Sequence, residues 1–307
     1  MKQQSVAVIL PCCNEEAAVG ATVTAFRAAL PDAVIYVFDN NSTDNTVNVA
    51  RAAGAIVRTE LMPGKGNVVR RSFADIDADV YVMADGDATY DAAAAPTMIR
   101  ELIECQLDMV VGVRSSVADA AFRPGHRLGN AILTGMLSRI FGRSFSDVLS
   151  GYRVFSRRFV KSFPALSEGF EVETEISIHA LALHMPVAEI GTAYKVRPEG
   201  SKSKLSPFRD GWRILLTVLT LFRIERPMLF FGIIGTLLGF VSIVIAVPLA
   251  VTSAKTGLVP RLPTTVLSTG LMILAFLSFF SGMILDTVVR GRRELRRLAY
   301  LALRPPE

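Results

Sequence analysis

Two stretches without a charged residue, 228–254 and 262–285, limit most what this 307-residue chain can become. Each exceeds the roughly 20 apolar residues that cross a bilayer core. Residues 255–261 between them suffice only for a turn, so the pair is predicted to be a helical hairpin with both flanks on one side. The competing reading is a buried helical core, which two such lengths disfavour. Arg290, Arg292, Arg293, Arg296 and Arg297 crowd the exit of the second stretch, while only Lys255 and Arg261 occupy the turn. By the positive-inside rule, the part before the hairpin faces the cytoplasm. Residues 1–5 run into a strand-like segment with no signal-peptide pattern, which agrees with a cytoplasmic start. The formal net charge of +5 raises the question of nucleic acid, but much of the basic excess borders the apolar segments. Anionic lipid headgroups are the simpler partner, and no nucleic acid is expected. Cys12, Cys13 and Cys105 have neither metal nor disulfide spacing and read as reduced packing or lining residues.

Before the hairpin, short β-branched runs alternate with helical patterns. Residues 5–10, 34–38, 55–59, 79–83 and 109–113 read as buried strands, and 15–30, 44–53, 67–76 and 96–105 as helices. Ser42-Thr43-Asp44 offers a cap for the second helix, and Pro96 stands near the start of the fourth. Such alternation predicts an α/β fold, a mostly parallel sheet with helices on both faces. Ligands of such sheets lie beyond the carboxyl ends of the strands. Three polar loops, 11–15, 39–44 and 85–87, each follow a strand and should converge on one crevice.

Asp85-Gly86-Asp87, at the end of Val80-Tyr81-Val82-Met83-Ala84, carries the chemistry. Two carboxylates one residue apart suit a hard divalent cation that grips a diphosphate. An acidic turn is the other reading of Asp-Gly. No Gly-x-Gly-x-x-Gly follows the first strand, and Gly64-Lys65-Gly66 lacks the length of a Walker loop. The loops offer instead Asp39 to accept from a base or ribose, Lys65 to reach a phosphate, and Asp85 and Asp87 for metal. A nucleoside diphosphate fits that set.

These segments resemble the family 2 glycosyltransferases of GT-A fold, and among them the polyprenyl-phosphate glycosyltransferases. The resemblance rests on Pro11-Cys12-Cys13-Asn14-Glu15, Asp39-Asn40-Asn41-Ser42-Thr43-Asp44-Asn45-Thr46, Gly64-Lys65-Gly66 and Asp85-Gly86-Asp87. It extends through Asp147-Val148-Leu149-Ser150-Gly151-Tyr152-Arg153 and Arg197-Pro198-Glu199-Gly200-Ser201-Lys202-Ser203-Lys204, six motifs in order over about residues 5–210. It implies a Rossmann-like GT-A domain over 1–210; composition and charge add an amphipathic juxtamembrane segment over 211–227, two membrane helices at about 228–252 and 264–287 within 228–289, and a basic cytoplasmic tail over 290–307. Pro11, Asn14, Glu15, Asp39, Asn41, Lys65, Asp85 and Gly86 would bind the nucleotide sugar. Asp85 and Asp87 would hold Mg²⁺ or Mn²⁺, with Asp87 the more direct ligand. Arg114, Arg127, Arg153, Arg197, Lys202 and Lys204 would grip an acceptor phosphate, and Arg153 would also act in catalysis. Two departures stand out: Cys13 where the family usually has an aromatic residue, and Thr89 where relatives often carry a metal-binding Gln.

The implied reaction is inverting transfer of one sugar from a nucleotide sugar, a UDP-sugar in preference to GDP-mannose, to a polyprenyl phosphate such as undecaprenyl phosphate. It needs no general base, because a phosphate monoester is already largely dianionic at neutral pH. A hydroxyl acceptor would need a base, and Glu171, Glu173 and Glu175 keep that alternative open, although a solvated or Arg-paired acidic face explains them as well. His126, His179 and His184 read as surface or packing residues. Residues 195–226 mix Lys195, Arg197, Lys202, Lys204, Arg209 and Arg213 with Trp212 and apolar side chains, as expected of a segment in the headgroup layer of the inner membrane. Gly232, Gly235 and Gly239 offer a close-packing face for another helix, which leaves room for a homo-oligomer. A non-catalytic membrane scaffold is the remaining alternative.

Overall fold

The computed structural model describes residues 4–116, 145–169, 171–195, 222–258 and 261–304, with single positions 135, 216, 219 and 220. The chain forms two compact units, Met1–Ile214 with Arg296–Glu307, and Leu215–Leu295.

The first unit is built on one seven-stranded sheet. Its elements run β1 (Val6–Cys12), α1 (Glu16–Ala29), β2 (Val34–Asp39), α2 (Thr46–Ala52), β3 (Ile56–Thr59), α3 (Lys65–Asp75), β4 (Val80–Met83), a 3₁₀ turn at Ala92–Ala94, α4 (Ala95–Glu104) and β5 (Met109–Ser116). After these come β6 (Arg153–Ser156), α5 (Arg157–Ser162), α6 (Val172–Ala182) and β7 (Val187–Tyr194). Strand order is β3-β2-β1-β4-β6-β5-β7. Only β6 runs antiparallel to its neighbours, as the pairings of β4 with β6 and β5 with β6 show. The central strands are buried on both faces, which is why they read as unbroken apolar runs. Helix α1 turns Ala18, Val19, Val23 and Phe26 onto the sheet, where Phe26 meets the edge of Tyr152.

The five predicted strands and four predicted helices are present, with ends shifted by up to three residues. The sequence reading did not identify β6 or β7. The former is four residues long and opens on a charged Arg153, so it lacks the length and apolar continuity of a recognisable strand. Of residues 171–175, open between helix and strand, Val172 to Glu175 enter α6 and Glu171 is its N-cap residue.

The second unit contains α7 (Pro227–Thr256) and most of α8 (Leu262–Leu301), both long and apolar enough to cross a membrane. A Cβ on Gly235 would lie 2.9 Å from the Phe279 ring and 3.0 Å from the Ala275 carbonyl. Gly239 faces the Ala275 methyl across 3.7 Å, so these glycines close the hairpin against α8 of the same chain. Ser242 Oγ donates to the Ser268 carbonyl at 2.7 Å, satisfying a buried hydroxyl. Residues 290–301, within the expected basic tail, continue α8. The end of that helix belongs to the first unit. There Arg297 donates to the Leu183 carbonyl at 2.5 Å, and the Tyr300 hydroxyl donates to Asp108 Oδ2 at 2.8 Å.

Candidate active site

The loops after β1, β2 and β4 meet because their strands are neighbours in parallel register, with Cys12 beside Asp39 and Ile9 beside Met83. Side chains then join them. Asn14, at φ 52°, accepts the Thr43 N–H through Oδ1 at 2.7 Å, and its own N–H donates to Ser42 Oγ at 2.8 Å. The Glu15 N–H donates to Thr46 Oγ1 at 2.9 Å. Asn40 reaches the Glu60 and Met62 carbonyls through Nδ2 and takes the Gly64 N–H through Oδ1 at 2.7 Å. Asn41 at φ 59° donates to the Leu61 carbonyl, so its amide organises the loop beside the crevice. Asp39 is 4 % exposed; Oδ2 takes the Ser42 N–H, whereas Oδ1 is buried without a hydrogen-bond partner. A buried acceptor left open is costly, and a ligand N–H or hydroxyl would satisfy it.

Asp85 and Asp87 have different surroundings. Asp87 is 2 % exposed, and its Oδ1 accepts both the hydroxyl of Thr89, at 2.6 Å, and the Thr89 N–H, at 3.2 Å. Ala88 between them has φ 59°, a left-handed conformation that folds Thr89 back onto the carboxylate. The middle glycine is required by space: a Cβ on Gly86 would sit 2.2 Å from Cys12 Sγ. Cys12 is buried, and its thiol is pushed well above the usual range by burial and by Glu15, Asp85, Asp39 and Asp87, so it is a packing residue.

Lys65 lies between two carboxylates. Its ammonium is hydrogen-bonded to Asp85 Oδ1 and stands 2.5 Å from Glu173 Oε1. Burial opposes the charge, but Asp85 and Glu173 outweigh it and raise the ammonium above its ordinary value, so Lys65 is a cation at neutral pH. The backbone beneath it is clasped. Gly64 has φ 124°, and Cβ atoms on Gly64 and Gly66 would lie 2.2 and 2.0 Å from the carbonyl oxygens of Glu168 and Ser167. Glu175 in turn accepts the Leu166 and Ser167 N–H groups at 3.0 and 2.8 Å. The sequence leaves Glu171, Glu173 and Glu175 open between a solvated or Arg-paired face and a role in the site; their partners lie far away in the chain.

Arg153 does not fit the expectation of an acceptor-phosphate ligand. It is fully buried, and its guanidinium donates to the Ser150 and Val148 carbonyls and to Ser177 Oγ, at 2.9, 2.6 and 2.9 Å. Burial lowers its pKa to about 10 despite Glu173 and Asp147, and its geometry is that of a brace for the 147–151 loop. That loop places Gly151, whose N–H donates to the Tyr90 hydroxyl at 2.9 Å. Arg114 makes a two-point pair with Asp147, at 2.7 and 2.8 Å, and lies over the Tyr194 ring. Arg127, Arg197, Lys202 and Lys204 lie outside the described residues.

Among the described residues no cluster of three His, Cys, Asp or Glu side chains makes a self-sufficient metal centre. Two adjacent carboxylates nevertheless fit a divalent ion that takes its other oxygens from a substrate. Gly151 packs closely against them: a Cβ there would stand 2.9 Å from Asp85 Oδ2 and 3.1 Å from Lys65 Nζ, so any side chain at this position would crowd the carboxylate.

A family model described as glycosyl transferase family 2 matches residues 7–163. Protein RfbJ of Shigella flexneri is 56 % identical over 40 % of this chain and 96 % of its own length. Glycosyltransferase AglJ of Haloferax volcanii is 35 % identical, covering 75 % of this chain and 76 % of the relative. The dolichyl-phosphate hexose transferase of the same organism is 26 % identical over 72 % of this chain and 95 % of its own. Among solved structures, glucosyl-3-phosphoglycerate synthase of Mycobacterium tuberculosis superposes with a TM-score of 0.58 at 22 % identity, over 71 % of this chain and 80 % of that one, a likeness of fold. With the parallel sheet, the loops gathered at its carboxyl edge and a family match across them, the chain is a GT-A-fold glycosyltransferase and belongs to glycosyl transferase family 2.

Proposed function

We propose that this glycosyltransferase moves one sugar from a nucleotide sugar, a UDP-sugar by preference, to a polyprenyl phosphate, with inversion. The observation that carries the acceptor is the pair of apolar helices attached to a family 2 domain. An acceptor whose tail cannot leave the bilayer calls for an enzyme that does not leave it either. The relative named as a dolichyl-phosphate hexose transferase supports the same class of acceptor. For the donor, a structure of the fold neighbour was obtained with Mn²⁺ and UDP-glucose.

In this reading the open Oδ1 of Asp39 takes a donor hydrogen of base or ribose, and Pro11, Asn14, Glu15 and Asn41 shape the surrounding cleft. Lys65 faces the diphosphate. Asp85 and Asp87 would hold Mg²⁺ or Mn²⁺, which when bound supplies positive charge to the departing nucleoside diphosphate. Arg114 contributes a cationic edge, and Arg127, Arg197, Lys202 and Lys204 are proposed to collect the acceptor phosphate, arginine meeting its oxygens two at a time. A dianionic phosphate attacks without giving up a proton, so the residues need only align it with the anomeric carbon. A single displacement then turns an α-linked donor into a β-linked product. The basic residues after the second span support a catalytic domain on the cytoplasmic side of the inner membrane. The alternative acceptor, a glycan or lipid hydroxyl, would need a base.

Purified protein given polyprenyl phosphate, a panel of nucleotide sugars and Mg²⁺ or Mn²⁺ tests this reading by mass spectrometry of the lipid. A product that releases its sugar in mild acid is expected; an acid-stable glycoside would show the hydroxyl alternative. Removing the metal with a chelator, or Asp87→Ala, is expected to lower turnover at least about a hundredfold.

A further inference from the structure

The contact between Lys65 and Asp85 occupies a carboxylate that the proposed donor site needs. Lys65 has an 8 % exposed side chain, Glu173 a 6 % exposed one, and Asp85, at 31 %, is the accessible member of the trio. Both backbone flanks of Lys65 are locked against residues 167–168, so the side chain is the part able to shift. Gly151 packs against the pair, where a Cβ would crowd Asp85 Oδ2 and Lys65 Nζ. Glu173 Oε2 is buried with no hydrogen-bond partner, an unused acceptor next to the ammonium. One buried cation therefore has two carboxylates to choose from. A buried ammonium stripped of every partner would be strongly disfavoured, whereas one that keeps a second carboxylate is not.

We propose that Lys65 is the resident cation of the donor site, holding Asp85 against a free divalent ion, and that Glu173 is the positioning residue to which Lys65 shifts when the ion enters with the diphosphate. The inference rests on the reading of Asp85 and Asp87 as the cation-binding pair. Its consequence is order: the protein alone binds the divalent ion weakly, and the nucleotide and the ion enter as a unit. Removing Lys65 leaves Asp85 open to the ion without the nucleotide. Removing the charge of Glu173 leaves Lys65 one carboxylate, which it holds harder.

Mn²⁺ titrations followed by electron paramagnetic resonance, on detergent-solubilised full-length protein at pH 8 with and without UDP, test this. Wild type is expected to bind Mn²⁺ about tenfold more tightly with UDP than without. Lys65→Met is expected to tighten binding of Mn²⁺ alone and to lose most of the UDP effect. Glu173→Gln is expected to move the other way, weakening Mn²⁺ alone and with UDP. General damage to the site would weaken both variants, so opposite directions support the proposal. It is overturned if Lys65→Met leaves Mn²⁺ affinity without UDP unchanged or lower, or if both variants shift the same way. Should Lys65→Met fail to fold by thermal denaturation, Lys65→Gln repeats the measurement with a side chain that tolerates two carboxylate neighbours. If wild type takes up no Mn²⁺ even with UDP, the donor-site reading itself fails, a result distinct from Mn²⁺ uptake that Lys65 does not govern.

Discussion

Gly86 and Cys12 show how closely the crevice is packed at single atoms. A methyl at Gly86 would overlap the Cys12 sulfur, so Gly86→Ala is expected to cost about 1–3 kcal/mol by overpacking. Cys12→Ala removes that sulfur, and the nearest remaining neighbours, Pro11 O and Cys12 Cβ, stand 3.5 and 3.6 Å away. The double variant should therefore recover most of the loss, a coupling that a double-mutant cycle of thermal unfolding measures directly. His179 supplies a second case. It is buried between Phe159 and Phe163, and burial, with the charge of Arg296, lowers its pKa to about 3 from 6.5. The unfolded chain takes up a proton below about pH 6.5 that the folded chain refuses until near pH 3. Stability from this residue is complete above that upper value and declines on acidification, by at most about 1.4 kcal/mol per pH unit. The stability gap between wild type and His179→Gln should thus narrow between pH 7 and 4.5; a constant gap would contradict the assignment. Residues of this kind separate what is legible in a sequence from what is not. Asp39, Asp85 and Asp87 are legible because each closes an apolar strand in a parallel sheet. Glu173 is not, because it meets Lys65 across 108 positions of chain and nothing local distinguishes it from Glu171 and Glu175.

Among the elements, β6 has the least sequence signal and a large structural role. Its reversed direction carries Arg153 into the core, where that side chain braces the loop bearing Gly151. An arginine in a polar motif invites a ligand-binding role on charge alone; burial decides otherwise, since its donors are used by backbone carbonyls. The helical hairpin is the opposite case, evident from length and hydropathy. Its internal contacts were open in the sequence, because a glycine stripe serves a neighbour in the same chain as well as one in another. Gly235→Leu is expected to push α7 from α8, since even a Cβ there would crowd Phe279 and Ala275. Disulfide trapping between cysteines introduced at Ser242 and Ser268, adjacent in the wild type, should fall several-fold in that background.

At the scale of the whole molecule, the first unit is discontinuous in sequence. Tyr300 and Arg158 converge on Asp108, itself completely buried at the entrance to β5, with the Arg158 guanidinium 4.3 Å from the centre of the Tyr300 ring. Tyr300→Phe keeps the ring and loses one hydrogen bond to a carboxylate that Arg158 still neutralises, so about 1 kcal/mol is expected. Tyr300→Ala also loses the stacked ring and should cost about 2–4 kcal/mol, read as a lower unfolding midpoint. A Tyr300→Ala midpoint equal to wild type would mean that the helix end contributes nothing to the sheet. The same connection bears on biosynthesis. A ribosome emits residues 1–214 long before 296–304, and the two apolar helices lie between. The enzyme fold can receive its final piece only after both helices have been made, so chain completion and bilayer insertion become steps of one assembly process.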